Sequence, residues 1–328
     1  MQSIAVSHLT KSFNVSQKEP GIRGTISSLF NRKYRTITAV KDVSFSIEEG
    51  EFIGFIGPNG AGKTTTLKCL SGLLYPNSGK VSVLGFTPFE RNHDYLKQIS
   101  LVMGQKNQLW WDLPAMETFL LNKEIYGVTN NHFDERLSEL SELLDAKDQI
   151  NIPVKGLSLG QRMKMELIAA LLHSPKVLFL DEPTIGLDVL MQQKIRDFLK
   201  EYNIRHNATI ILTSHYMADV EALCKRVIII NFGTIIFDGL LSDLVKKFAP
   251  YKRISIYFEE KIPEETLIKF GKIESYTFPK VVLRVGKNDT NKIASEILKR
   301  FAVRDVGIEE PEIEEVIREV FSHDKKRD

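Results

Sequence analysis

The stretch Gly57-Pro58-Asn59-Gly60-Ala61-Gly62-Lys63-Thr64 decides the fold. Its spacing, G-x-x-x-x-G-K-[ST], is that of a loop that cradles phosphates. The apolar run Phe52-Ile53-Gly54-Phe55-Ile56 precedes it and reads as a buried strand. Residues 65–74, beginning at Thr65, read as a helix that stops near Gly72 and Pro76. Strand, glycine loop and helix form the context the motif needs. Glycines let the backbone approach phosphate oxygens, and N–H groups at a helix N-terminus favour negative charge. The Lys63 ammonium suits the β- and γ-phosphates, and the Thr64 hydroxyl suits Mg²⁺. The alternative is a glycine-rich turn ahead of a helix, and the flanking strand weighs against it.

Downstream, Val177-Leu178-Phe179-Leu180-Asp181-Glu182 is an apolar strand that ends in two acids. Two carboxylates there are unfavourable unless a cation or substrate meets them. Asp181 suits a Mg²⁺ shell, and Glu182 suits the orientation of an attacking water. Leu157-Ser158-Leu159-Gly160-Gln161 opens a helix, with Ser158 as a natural N-cap and the backbone near Gly160 as a second anion site.

In their order and spacing these motifs resemble the ATP-binding cassette (ABC) family, the nucleotide-binding subunits of ABC transporters. The resemblance covers residues 1–240. It implies an α/β P-loop NTPase cassette with a mixed-sheet core, an antiparallel subdomain and a helical subdomain. Residues 57–64 resemble Walker A, with Thr65 beside it. Gln105 resembles the Q-loop glutamine, a Mg²⁺ ligand that also senses the transmembrane partner. Ser158, Gly160 and Gln161 fall in the family signature, where Leu159 stands in place of a glycine. Asp181 and Glu182 resemble Walker B and the catalytic glutamate. Ile185-Gly186-Leu187-Asp188 resembles the D-loop, and His215 the switch histidine at the γ-phosphate. The family stacks adenine on an aromatic residue of its first strands; Phe13 holds that position, with Tyr34 as the alternative. The expected ligands are ATP and Mg²⁺. The expected assembly is a homodimer or heterodimer of cassettes, with two ATP molecules each held between one subunit's P-loop and the other's signature.

The rest of the chain agrees with a nucleotide-driven globular protein. It has 328 residues, room for two domains. With 44 basic and 42 acidic residues it carries +2, which argues against a protein that coats nucleic acid. Cys69 and Cys224 stand apart, without a disulfide or zinc pattern. No apolar run approaches the roughly 20 residues of a bilayer span, so any membrane role must come through a partner; the resemblance implies separate transmembrane permease subunits and a place at the cytoplasmic face of the cell membrane. Residues 14–38 are an insertion. Ile22, Ile26, Leu29 and Phe30 within it share one helical face among basic residues. That helix would pack on its own sheet or touch a membrane surface or partner. Trp110 and Trp111, just after Gln105, are either core or a docking surface for a membrane subunit's helix.

Beyond a linker at 241–252 the pattern changes. Residues 253–328 read as β-α-β-β-α-β, a ferredoxin-like sandwich. A last helix follows over 311–321, then a solvated tail from Asp324. This part resembles the accessory domain of drug- and antibiotic-exporting cassettes, so the resemblance implies an ABC-2-type exporter motor. A cassette acting on DNA or ribosomes is the main alternative. The segment between Gly62 and Ser158 has no heptad run, and there is one cassette in the chain, which weighs against it.

Overall fold

The computed structural model describes residues 2–17 and 33–324. The chain divides into two units, Met1–Asp238 and Gly239–Asp328. The first unit opens with two long antiparallel strands, β1 (Gln2–Gln17) and β2 (Lys33–Glu48). They extend well beyond the apolar stretch Ile4-Ala5-Val6 and the alternating stretch 40–47. The extension carries a polar ladder on one side, with Ser12 against Thr38 at 3.0 Å and the Thr36 hydroxyl donating to Asn14 at 3.0 Å. The insertion's expected helix over Ile22, Ile26, Leu29 and Phe30 lies outside the described residues.

Strand β3 (Phe52–Ile56) leads into the glycine loop, and β4 (Ser78–Val83) pairs antiparallel with β1 to complete a three-stranded sheet, β2-β1-β4. The second sheet adds β5 (Ile99–Met103), β6 (Val177–Asp181), β7 (Thr209–Thr213), β8 (Arg226–Asn231) and β9 (Thr234–Leu240), in the order β5-β6-β7-β3-β8-β9. The pairs from β5 through β8 are parallel. Every residue of β6 and β7 is buried, which explains why these strands read as apolar runs rather than alternations. The β8–β9 turn is made by Phe232 and Gly233, both with positive φ (44° and 81°), the signature of a tight hairpin turn.

Helix α1 (Lys63–Leu70) follows the loop directly and ends four residues earlier than its apolar pattern suggested. Gly72 ends it in a left-handed conformation (φ 76°), and a Cβ there would lie 2.2 Å from the Pro88 carbonyl oxygen. Leu67 and Leu70 of α1 pack into a core with Val43, Phe45, Phe55 and Phe179, so the loop is held between the two sheets. The short α2 (His93–Leu96) precedes β5. Helices α3 (Ala115–Tyr126) and α4 (Asn130–Leu143) precede α5 (Leu159–Leu171), α6 (Val189–His206) and α7 (Met217–Leu223).

In the second unit, the stretch 241–252 expected as a linker forms α8 (Leu241–Phe248) and the start of β10 (Tyr251–Phe258). There follow α9 (Glu264–Leu267), β11 (Lys272–Thr277), β12 (Lys280–Gly286), α10 (Thr290–Arg300), β13 (Val303–Glu309) and α11 (Ile313–Asp324). The sheet order β11-β12-β10-β13, antiparallel throughout, is the ferredoxin-like arrangement the pattern predicted. One face buries Ile254, Ile256, Leu267, Leu283 and Ile297. The other carries ion pairs that fasten α11: Arg284 to Glu319 at 2.7 Å and Arg253 to Glu315 at 3.6 Å. The tail at 325–328 lies outside the described residues.

Candidate functional site

The end of β3, the start of α1 and the C-terminal ends of β6 and β7 bring four motifs together. Pro58, Asn59 and Gly60 are exposed, whereas Gly57, Ala61 and Gly62 are buried. Gly62 has φ 111°, and a Cβ there would lie 2.4 Å from the Ala39 carbonyl oxygen, so only glycine fits. Thr65 follows in the first turn of α1. Lys63 is 5% exposed. Its Nζ donates to the carbonyls of Gly57 at 2.7 Å and Pro58 at 3.2 Å. Burial lowers its pKa, while the nearby Glu182 and Asp181 carboxylates pull the other way.

Asp181 receives two hydroxyls. Thr64 Oγ1 donates to Oδ2 at 2.8 Å and Thr213 Oγ1 to Oδ1 at 2.7 Å. Glu182 lies just past β6 with φ 57°, a conformation that non-glycine residues seldom adopt outside constrained sites. Its N–H is held by the Thr213 carbonyl at 3.0 Å and by Thr213 Oγ1 at 3.1 Å. The Glu182 carboxylate bridges two further expected residues. Gln105 Nε2 donates to Oε2 at 3.0 Å, and His215 Nε2 lies 2.7 Å from Oε1. Gly104 permits this approach, since a Cβ on it would stand 2.1 Å from the Glu182 carbonyl oxygen. A cavity of about 130 Å³ opens among Thr64, Met103, Gln105, Lys106, Asp181 and Glu182. Larger hollows of about 660 and 520 Å³ exist, but none of residues 57–64 lines them.

The signature residues stand apart from this cluster. Ser158 is exposed and caps α5 in a reciprocal box: its hydroxyl accepts from Gln161 N at 3.2 Å, and its own N–H donates to Gln161 Oε1 at 2.9 Å. Gly160 is buried against Met191, leaving no room for a side chain. Asp188 caps α6, accepting from Met191 N at 2.9 Å. Among the described residues no hydrogen bond joins Ser158, Gly160, Gln161 or Asp188 to residues 57–64. Phe13 sits on β1 opposite Ile37, 36% exposed, with the Lys11 ammonium 5.2 Å from its ring centre; Tyr34 is more exposed, on β2.

The tryptophans are surface residues, Trp110 51% and Trp111 49% exposed. They are tied to the signature region. The Trp111 carbonyl accepts from Lys155 N at 2.9 Å, and the Arg162 guanidinium lies 6.0 Å from the Trp111 ring. A buried carboxylate on α5, Glu166, accepts the backbone N–H of Gln108 at 2.9 Å; burial pushes its pKa up. Gln108 also lines a groove of about 520 Å³, together with Leu73, Leu96, Leu101, Ile125 and Lys97. Sequence reasoning missed Thr213 and Glu166. The available signals were a hydroxyl two residues before His215 and a carboxylate among the apolar residues of α5.

Residues 250–309 match the family model described as EvrA-like ABC transporter, C-terminal domain, and residues 40–185 match the model described as ABC transporter. Over 218 residues the chain is 36% identical to the ABC transporter ATP-binding protein NatA of Bacillus subtilis (strain 168), covering 66% of this chain and 88% of that protein. The chain belongs to the ATP-binding cassette family of ABC transporters. The cassette is also 35% identical over 216 residues to the linearmycin resistance ATP-binding protein LnrL of the same organism, covering 66% of this chain and 69% of that one. Among solved structures, the ATP binding subunit of an ABC transporter superposes with TM-score 0.62 at 25% identity, over 75% of this chain and 92% of that one. The cassette MJ0796 bound to ADP and Pi, a dimeric post-hydrolysis state, shares the fold with TM-score 0.59 at 24% identity, over 72% of this chain and 98% of that one. As a family member the cassette binds ATP and is an ATPase. No helix of the described residues is long and apolar enough to cross a membrane.

Proposed function

We propose that this cassette is the ATP-hydrolysing motor of an ABC-2-type exporter, working as a homodimer or heterodimer of cassettes on separate transmembrane permease subunits at the cytoplasmic face of the membrane. Residues 1–240 form the motor and residues 253–328 an accessory domain. The similarity to LnrL and the EvrA-like C-terminal match support the exporter reading.

In this reading Lys63 leaves its two carbonyl partners for the β- and γ-phosphates, while the N–H groups from Gly57 to Thr65 surround them. Phe13 stacks on adenine. Ser158, Gly160, Gln161 and Asp188 complete the site of the opposite subunit, which accounts for their distance from the phosphate loop within one chain. Glu182 orients the attacking water, and His215 holds Glu182 and the γ-phosphate in register. Catalysis is then positioning and charge neutralisation rather than covalent chemistry.

The Thr64–Asp181 contact fits Mg²⁺, which favours hard oxygen donors and takes few protein ligands beside substrate phosphates. Thr64, Asp181 and Gln105 are the residues that would hold the ion, which would neutralise phosphate charge when bound.

The observation that carries the motor reading is the Gln105–Glu182 hydrogen bond. Five residues after Gln105 the chain exposes Trp110 and Trp111, and Gln108 between them and Gln105 lines the groove of about 520 Å³. In this reading a displacement of the tryptophans is passed along the five intervening residues to Gln105, the group that touches Glu182. Large exposed aromatic anchors suit a helix from a membrane partner. Affinity purification of the full chain from detergent-solubilised membranes tests this. Co-purification of a polytopic permease that stimulates ATP hydrolysis is the expected result; a chain recovered free of any membrane protein would sink the motor reading.

A further inference from the structure

Behind the Glu182–His215 pair lies a second buried cluster that the family motifs do not include. Asp219, on α7, is fully buried and receives side-chain donors from three different segments. Thr184 Oγ1 donates to Oδ2 at 2.5 Å, and Ser214 Oγ donates to the same oxygen at 2.8 Å. Arg196 Nη1 pairs with Oδ1 at 2.8 Å, both side chains being almost wholly out of solvent. Ser214 Oγ also accepts from the N–H of Tyr216 at 3.0 Å.

Each donor has a functional neighbour. Thr184 lies two residues after Glu182. Ser214 immediately precedes His215. Arg196 projects from α6, the helix that Asp188 caps. A buried carboxylate needs compensation by charge and hydrogen bonds, and here all of it comes from the segments that present Glu182, His215 and Asp188. Surface fastening would not require a charge at this depth, because neutral apolar packing joins such segments at least as well.

We infer that Asp219 is a positioning residue for ATP hydrolysis: it fixes the Glu182–His215 contact and makes that contact respond to displacement of α6 and Asp188. This rests on the reading of Glu182 and His215 given above. Rotation of α6 pulls Arg196, Arg196 pulls Asp219, and Asp219 carries the hydroxyls of Thr184 and Ser214 with it. The result is a short mechanical path from the segment facing the opposite subunit to the reacting centre.

The test is a double-mutant cycle between Asp219→Asn and His215→Ala in the full chain. Turnover is read by phosphate release and nucleotide affinity by titration with a fluorescent ATP analogue. Asp219→Asn keeps the shape, removes the charge that answers Arg196, and should lower kcat by about 10- to 100-fold, as a misplacement on the ångström scale does. ATP affinity should stay within about twofold. In the His215→Ala background the same change should cost several-fold less in kcat, because the Glu182–His215 contact that it fixes is gone and only the Thr184 side of the path remains. An equal loss in both backgrounds, or wild-type turnover of Asp219→Asn, would overturn the inference.

Should Asp219→Asn not fold, Ser214→Ala removes one donor and leaves the Arg196–Asp219 pair intact. The same cycle with His215→Ala then applies, and additivity again counts against the role. Wild-type turnover in both Glu182→Gln and His215→Ala would instead refute the underlying site assignment. Loss of turnover in those two, with an additive Asp219 cycle, refutes the positioning role alone.

Discussion

Glu182 Oε1 lies 2.7 Å from His215 Nε2, while its other oxygen accepts from Gln105 Nε2 at 3.0 Å. One carboxylate therefore joins the ends of β5, β6 and β7. Glutamine at position 182 keeps the shape and loses the charge. Glu182→Gln should bind ATP with unchanged affinity and hydrolyse it about 10²- to 10⁴-fold more slowly. Single-turnover phosphate release beside equilibrium nucleotide binding checks both halves; near-normal turnover would remove Glu182 from its role.

The separation of Ser158 from Lys63 within one chain leads to a complementation experiment. On the shared-site reading, Lys63→Ala removes the cation at the phosphates, and Ser158→Arg puts bulk at the opposite subunit's phosphate. Each variant should lose about 10²-fold or more of its ATPase rate, on the scale of a lost charge-stabilising donor. Mixed dimers have one site with both lesions and one with neither, and should regain part of the rate. Mass spectrometry of the mixture shows whether such dimers form, and confirmed mixed dimers without recovery would count against a shared site.

Trp111 is half exposed and contributes little to the core. Trp111→Ala should leave the melting temperature and ATP affinity of the isolated chain nearly unchanged. It should weaken assembly with the permease by at least tenfold, as loss of an aromatic anchor typically does. Quantitative co-purification reads the effect; unfolding, or normal assembly and transport, would exclude the docking role.

His173 offers a pH prediction. Its ring stacks on Tyr126 at 3.8 Å, with Nε2 3.0 Å from the Ile99 carbonyl oxygen. Burial lowers its pKa from 6.5 to about 4. The unfolded chain thus takes up a proton at a pH where the folded chain does not. The neutral ring's contribution is complete above pH 6.5 and is lost as the pH falls toward 4. From pH 7 to 5 this group should account for about 2 kcal/mol of lost stability. In His173→Phe the stability difference between those two pH values, measured by urea unfolding, should shrink by about that amount.

Much of the site was legible because its signals are local. Residues 52–64 carry a strand, a loop and a helix start in one run, and β6 announces its two acids by ending an apolar stretch. The length of β1 was not legible: Ser12, Asn14 and Ser16 look like loop residues until their partners on β2, Thr38 and Thr36 among them, are known. Polar cross-strand ladders have no one-dimensional signature. Asp219 is hidden for the same reason. An acid in a short helix reads as solvated, and its pairing with Arg196, Thr184 and Ser214 depends on how three segments converge. Gly72 was legible as a stop signal, but not its close approach to the Pro88 carbonyl, which ends α1 at Leu70.

The register of β1 on β2 runs without a break from Ser12–Thr38 to Gln17–Lys33. Gln17 and Lys33 are therefore fixed as partners, one strand spacing apart. Closing a longer or shorter connection across such a pair changes the free energy by only about 0.6 kcal/mol per doubling of length. Exchange of residues 18–32 for a two-residue hairpin turn should therefore leave the pairing of Ser12–Gln17 with Lys33–Thr38 in place, and nucleotide binding by the shortened chain checks this. A cassette shortened in this way would keep β1 and β2 joined by their own ladder, so the connection becomes a point of exchange rather than a structural requirement.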